Sequence, residues 1–121
     1  MAIATAHCFY VERVRDVTVV CFTVNGLDED NYEAVSEELL EFVTLVTANG
    51  PAQVVVELSP IRRIDELGVA MLHALHDSIA EAGGTTIFCR LSPVVSSAIR
   101  EAGLLSTFDI RNTRGDAMWS F

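Results

Sequence analysis

The sequence predicts one α/β domain, a mixed central sheet of about four to five strands with helices packed mainly on one face. Two β-branched and aromatic runs, Phe9 to Val14 and Val17 to Val24, are separated only by Arg15-Asp16 and read as a hairpin. After the hairpin, helical and strand-like patterns alternate, the signature of parallel strands joined by right-handed helical crossovers. Val54-Val55-Val56 is apolar without interruption, as expected of a central strand covered on both faces.

The elements follow in order. Asn25-Gly26 closes the second run, and an acidic stretch from Asp28 leads into Val35, Leu39, Phe42 and Val46, which recur at helical spacing and must face a core. Asp30 and Glu33 have the spacing of a capping box, with Asp in place of the usual Ser or Thr, and Asn49-Gly50 supplies the stop. Ala52 to Leu58 is the central strand, broken by Ser59-Pro60. Asp65 can cap a second helix whose apolar side is Leu67, Met71, Ala74, Leu75 and Ile79, running to Gly83-Gly84. Thr85 to Cys89 is a further strand, and Ser92-Pro93 places a cap and a first-turn proline before Val95, Ile99, Ala102 and Gly103. Phe108 to Arg111 suits a last edge strand, and Gly115 to Phe121 a single frayed turn. The whole chain, 1–121, is read as one domain with its core over about 8–111 and the tail 112–121 left unassigned. Val35, Leu39, Phe42, Val54, Val56, Leu75 and Ile99 are expected to share that core.

Composition excludes several function classes. With 121 residues, 50% hydrophobic and 21% charged, the chain can build a core of its own. Eight Lys and Arg against 17 Asp and Glu leave a net charge of -9, so a phosphate backbone or an anionic lipid surface would repel it. No stretch reaches the roughly 20 apolar residues of a membrane-spanning helix, and Met1 to His7 lacks the basic-then-apolar order of a targeting segment. A cytoplasmic protein is the expectation. Cys8, Cys21 and Cys89 are far apart and form no CxxC or Cys/His cluster, so no metal, cofactor or disulfide framework is expected.

The stretch Val54-Val55-Val56-Glu57-Leu58-Ser59-Pro60-Ile61-Arg62-Arg63-Ile64-Asp65-Glu66-Leu67-Gly68-Val69 resembles the signature of STAS domains, the family of bacterial anti-sigma-factor antagonists. In that family a strand ends in Asp-Leu-Ser, and after a short loop Ile-Asp-Ser-Ser-Gly-Leu opens a helix. Glu81-Ala82-Gly83-Gly84, Leu91-Ser92-Pro93, and Ala102-Gly103-Leu104 followed by Phe108 resemble the family in order and spacing, so the likeness covers nearly the whole chain.

The resemblance implies a STAS-like sandwich and a non-enzymatic protein-protein switch. In the family an ATP-dependent anti-sigma kinase binds the motif and phosphorylates its first Ser, which releases the antagonist. Carried over, Asp65 matches the motif Asp, Gly68 the Gly and Val69 the Leu, while Glu66 stands at the phosphoacceptor position and Leu67 replaces the second Ser. The implied partner is an anti-sigma-factor kinase or another STAS protein, contacted through Arg62, Arg63, Asp65, Glu66, Leu67, Gly68 and Val69. Glu66 imitates part of the charge of phosphoserine, about -1.5 to -2 at neutral pH. Asp65 and Glu66 also suit a helix start, where negative charge gains roughly 0.3 to 1 kcal/mol each, so capping alone would account for them. Arg62-Arg63 could organise the two acids or contact acids on a partner. Two alternative readings are a sensor of a nucleotide or lipid-like ligand, for which no glycine-rich phosphate loop is present, and a scaffold subunit of a larger STAS assembly.

Other candidates have plainer explanations. His73 and His76, three apart on a helix, read as solvated surface residues without a third ligand. His7 and Cys8, adjacent on a strand, would point to opposite faces, and the cysteines read as packing residues. Glu33, Glu37 and Glu41 form a solvated acidic face. Arg114-Gly115-Asp116 reads as a turn.

Overall fold

The structure is a computed structural model that describes residues 8–121. β1 (Phe9–Val14) and β2 (Val17–Phe22) form the expected hairpin, paired antiparallel from Phe9 with Phe22 to Val14 with Val17. A two-residue strand, β3 (Gly26–Leu27), precedes α1 (Tyr32–Val46). β4 (Gln53–Glu57) carries the all-valine run, and a second two-residue strand, β5 (Arg63–Ile64), leads into α2 (Glu66–Glu81). β6 (Thr85–Cys89), α3 (Pro93–Glu101), β7 (Asp109–Arg111) and α4 (Arg114–Met118) complete the chain. The main sheet has the order β1-β2-β4-β6-β7, antiparallel only at the hairpin. It is the five-stranded mixed sheet the sequence predicts, with β4 in the middle.

The continuous apolar runs of β2 and β4 are explained by two cores. On one face, Val20, Val54, Val56 and Phe88 pack with Val35, Leu39 and Phe42 of α1, Met71, Leu72, Leu75 and Ile79 of α2, and Val95 and Ile99 of α3. All seven residues expected to share a core lie in this cluster. On the other face, Val17, Val19, Cys21, Val55, Ile87 and Cys89 gather with Ala117 of α4. The tail is therefore no frayed turn outside the core. Thr113 caps α4 by accepting from the Asp116 N–H at 3.0 Å, Ala117 is fully buried, and Arg114 pairs with Glu12 and, at 3.6 Å, with Glu57. Arg114-Gly115-Asp116 is thus the first turn of a helix clamped to β1 and β4.

Several boundaries shift. The second and last strands are shorter than their apolar runs, ending at Phe22 and starting at Asp109. α1 starts at Tyr32 with Asn31 in the cap place, so the expected Asp30–Glu33 box does not form. Asn31 instead accepts the Asp28 N–H at 3.1 Å and donates to Gly26 O at 2.7 Å, while Asp28 takes the Asp30 N–H at 3.1 Å. Side-chain turns in this acidic loop use the groups a capping box would have needed.

His76 is half-buried, its ring 5.4 Å from that of Phe108, with His73 at 6.0 Å, so the two are not simply solvated. Both contact Asp77, at 3.3 and 3.1 Å. Glu33, Glu37 and Glu41 are exposed, as expected. His7, the neighbour weighed beside Cys8, lies outside the described residues.

The cysteines are buried free thiols. Burial pushes the Cys8 thiol up to about 12, with Glu38 adding to the effect, and Cys89 up to about 11, with Glu57 adding. Burial also raises Cys21, against the opposing pull of Tyr10 and Arg114. Above the ordinary thiol value of 9.0 the unfolded chain releases protons that the fold still holds, so this contribution is whole below pH 9 and is lost as pH rises towards 11 and 12. A thiol reagent at pH 8 is expected to label all three cysteines in denaturant and none at comparable speed in the native protein. The urea midpoint should fall between pH 8 and pH 10, and rapid native labelling would contradict the packing described here.

Candidate functional site

The motif sits where β4 leaves the sheet. After Leu58, whose N–H donates to Cys89 O at 3.0 Å, the chain turns through Ser59-Pro60, and the Ile61 N–H closes the turn onto Leu58 O at 3.0 Å. Ile61 is fully buried, and Ser92 fixes it from α3 by donating to Ile61 O at 3.2 Å while accepting the Val95 N–H at 3.4 Å. One hydroxyl thus caps α3 and anchors the motif loop.

The next residues form β5, which runs parallel to β3 as a separate two-stranded sheet. The Arg62 and Arg63 N–H groups both donate to Asn25 O, at 2.6 and 3.2 Å, and the Asp65 N–H to Leu27 O at 3.2 Å. This small sheet was not foreseen. Its strands are too short to show any period, and Asn25-Gly26 marked only a turn.

Asp65 is the N-cap of α2, as its place before the apolar period predicts. Oδ1 accepts the Gly68 N–H and Oδ2 the Glu29 N–H, each at 3.0 Å. The carboxylate therefore satisfies a free donor of the helix and ties the helix start to the acidic loop before α1, 36 residues earlier. Gly68 allows the same approach: a Cβ there would stand 2.0 Å from Leu27 O and 2.7 Å from Ile64 Cγ1. Only a residue without a side chain lets β3 lie across the first turn of α2.

Arg62 and Arg63 do not organise the two acids. The Arg63 guanidinium lies 3.8 Å from Asp28, with its own side chain 70% exposed, and such a pair adds little to stability. Asp65 needs no cation, because backbone N–H groups already hold it. Leu67, expected on the apolar side, is 39% exposed, and Ala74 is exposed as well. Met71, Leu75 and Ile79 are buried as expected, and Gly68, Val69 and Leu72 complete the buried side in place of Leu67 and Ala74.

Glu66 is exposed at the first helical position and makes no ion pair or hydrogen bond with a described residue. With Asp65 and Val69 it faces Ala98, Glu101 and Ala102, at the end of α3, across a groove of about 370 Å³. The α3 wall was invisible to motif reading because it lies over 30 residues downstream. Apolar Val69 and alanines flanked by Glu66 and Glu101 suit the stem and charge of a basic side chain from outside. Among the described residues, no group of three His, Cys, Asp or Glu could hold a metal ion, and no helix is long and apolar enough to cross a membrane.

Known proteins share this fold. TM1081 of Thermotoga maritima, a candidate anti-sigma factor antagonist, has a TM-score of 0.81 and 19% identity, over 94% of each chain. An anti-sigma-factor antagonist (STAS) domain protein of Planctomyces limnophilus gives 0.80 and 20%, over 97% of this chain and 98% of that one. The anti-sigma factor antagonist SpoIIAA in its unphosphorylated form gives 0.71 and 20%, over 91% and 92%. Likeness at these identities speaks for the fold. No curated protein matches the sequence. The model of the STAS domain family, however, matches residues 10–117, from β1 to α4, and on that match the chain belongs to the STAS domain family.

Proposed function

We propose that this chain is a regulatory module of the anti-sigma-factor-antagonist type, which binds a partner protein through Arg62 to Val69 and the neighbouring helix surface and acts by contact without turnover. Its switch is phosphorylation-independent, with Glu66 standing at the phosphoacceptor position as a fixed negative charge. The observation that carries the reading is the placement of Glu66, a solvent-facing carboxylate with no described partner on a helix start held rigidly by Asp65 and Gly68. A residue serving only the helix would be equally content there, so affinity must decide. The implied partner is an anti-sigma-factor kinase or another STAS protein.

The test is calorimetric titration of a partner isolated on the wild-type chain against wild type and Glu66→Gln, which keeps shape and removes charge. The affinity is expected to change by about tenfold, equivalent to about 1.4 kcal/mol. Weaker binding assigns Glu66 to a direct charged contact, and stronger binding assigns it to mimicry of the released, phosphorylated state. Equal affinities, with stability lower by the roughly 0.3 to 1 kcal/mol of a helix-start charge, would leave capping as its whole role. In the same assay a cognate kinase should leave wild-type residue 66 unmodified and phosphorylate Glu66→Ser. Phosphate on wild-type Ser59 or Ser92 would show a switch at another site.

A further inference from the structure

A second concave surface lies between α1 and α2, outside the motif groove. Its α1 wall is large and apolar, with Tyr32, Leu40 and Val43, and its α2 wall is small, with Ala70, Ala74 and Ser78. Leu40 is 66% exposed and Tyr32 36%. Leu39, Met71 and Leu75 close the floor, so the trough is backed by the main core.

We propose that this trough binds an amphipathic helix of a partner protein, one whose apolar stripe is bordered by Lys and Arg. The shape favours a helix: α1 has 15 residues, about 22 Å of length, enough to receive anchors at i, i+4 and i+7. The trough itself holds about 220 Å³, below the roughly 300 to 1,000 Å³ of pockets that enclose small ligands, and it suits a few inserted side chains.

Charge selects the kind of helix. α1 carries Glu33, Glu37, Glu38 and Glu41, α2 carries Glu66, Asp77 and Glu81, and neither has a Lys or Arg. Glu33 and Glu37 follow Tyr32 and Ser36 by one position, and Asp77 and Glu81 follow Ala74 and Ser78 by three, which sets acids along the outer flanks of both walls. Asp77 is shared with His73 and His76, and Glu33, Glu37 and Glu81 are exposed. The same carboxylates argue against a second copy of this chain, whose trough would bring matching negative charge, on a molecule already at -9.

The experiment is selection of displayed random peptides of about 16 residues on the wild-type chain, counter-selected on Ala74→Arg, an exposed position where the new side chain fills the trough and repels a basic partner. Selected peptides are expected to carry apolar residues at i, i+4 and i+7 with net positive charge. Their affinity should fall about tenfold or more on Ala74→Arg and on Leu40→Ser, each checked for an unchanged melting curve. Amide shifts on binding should centre on residues 36–43 and 70–78. Amide shifts should be absent at residues 62–66, which separates this surface from the motif. The proposal is overturned by selection that yields no binder, by peptides without the periodic basic pattern, by affinity that ignores Ala74→Arg, or by amide shifts that centre on residues 62–66. Self-association of the wild type that Ala74→Arg abolishes would overturn it as well, by making a second copy the occupant.

Discussion

Gly68→Ala is expected to destabilise the protein by about 1 to 3 kcal/mol, the usual cost of forcing extra atoms into a filled site. The sign is the informative part, because the same change in an open helix would gain about 1 kcal/mol from helix propensity. At Gly68 the added Cβ would meet Leu27 O at 2.0 Å, and that carbonyl also accepts the Asp65 N–H. Relief requires β3 to move off the helix, taking the Glu29 N–H away from Asp65. Urea denaturation should show a lower midpoint with an unchanged slope, and amide exchange should quicken at Leu27, Glu29 and Asp65. A stabilised variant would mean that β3 does not lie across α2 as described.

Phe42→Ala is expected to cost about 3 to 5 kcal/mol, through lost transfer energy and the cavity left behind. Phe42 is 3% exposed and meets the Phe9 ring edge-on at 5.9 Å, and Phe9 in turn meets Phe22 at 6.1 Å. The substitution therefore opens the contact that joins α1 to the hairpin. Leu39→Ala, one turn away, falls in the range of about 2 to 5 kcal/mol. Against a typical total of about 5 to 15 kcal/mol, Phe42→Ala should bring the protein close to unfolding at ordinary temperature. A denaturation midpoint that either truncation leaves in place would count against the packing of α1 on the sheet.

Features with a local cause were legible in the sequence. The Arg15-Asp16 hairpin, the triple valine of β4, the Ser92-Pro93 start of α3 and the Asp65 cap of α2 each carry their mechanism within a few residues. Features made by distant segments were not. β3 and β5 have two residues each, and α4 has five, so no periodicity announces them. Arg63 was read against its neighbours Asp65 and Glu66, but the fold brings Asp28 to it along the β3–β5 pairing. In the motif the Asp65 cap and the glutamate at the phosphoacceptor position could be read directly, whereas the exposure of Glu66, the Glu29 N–H that holds Asp65 and the α3 wall facing Glu66 exist only after folding.

The strand order has a kinetic consequence. Val14 and Val17 pair across three positions, whereas Val17 pairs with Gln53, Gln53 with Thr85 and Ile87 with Asp109, separations of 36, 32 and 22. Chain-closure entropy sets the longest of these about 2 kcal/mol above the hairpin, but only about 0.4 kcal/mol above the shortest parallel pairing. The hairpin can therefore assemble early and offer β2 as a template for β4, while chain closure sets little order among the three parallel pairings. A substitution in the hairpin turn should accordingly appear mainly in the refolding rate.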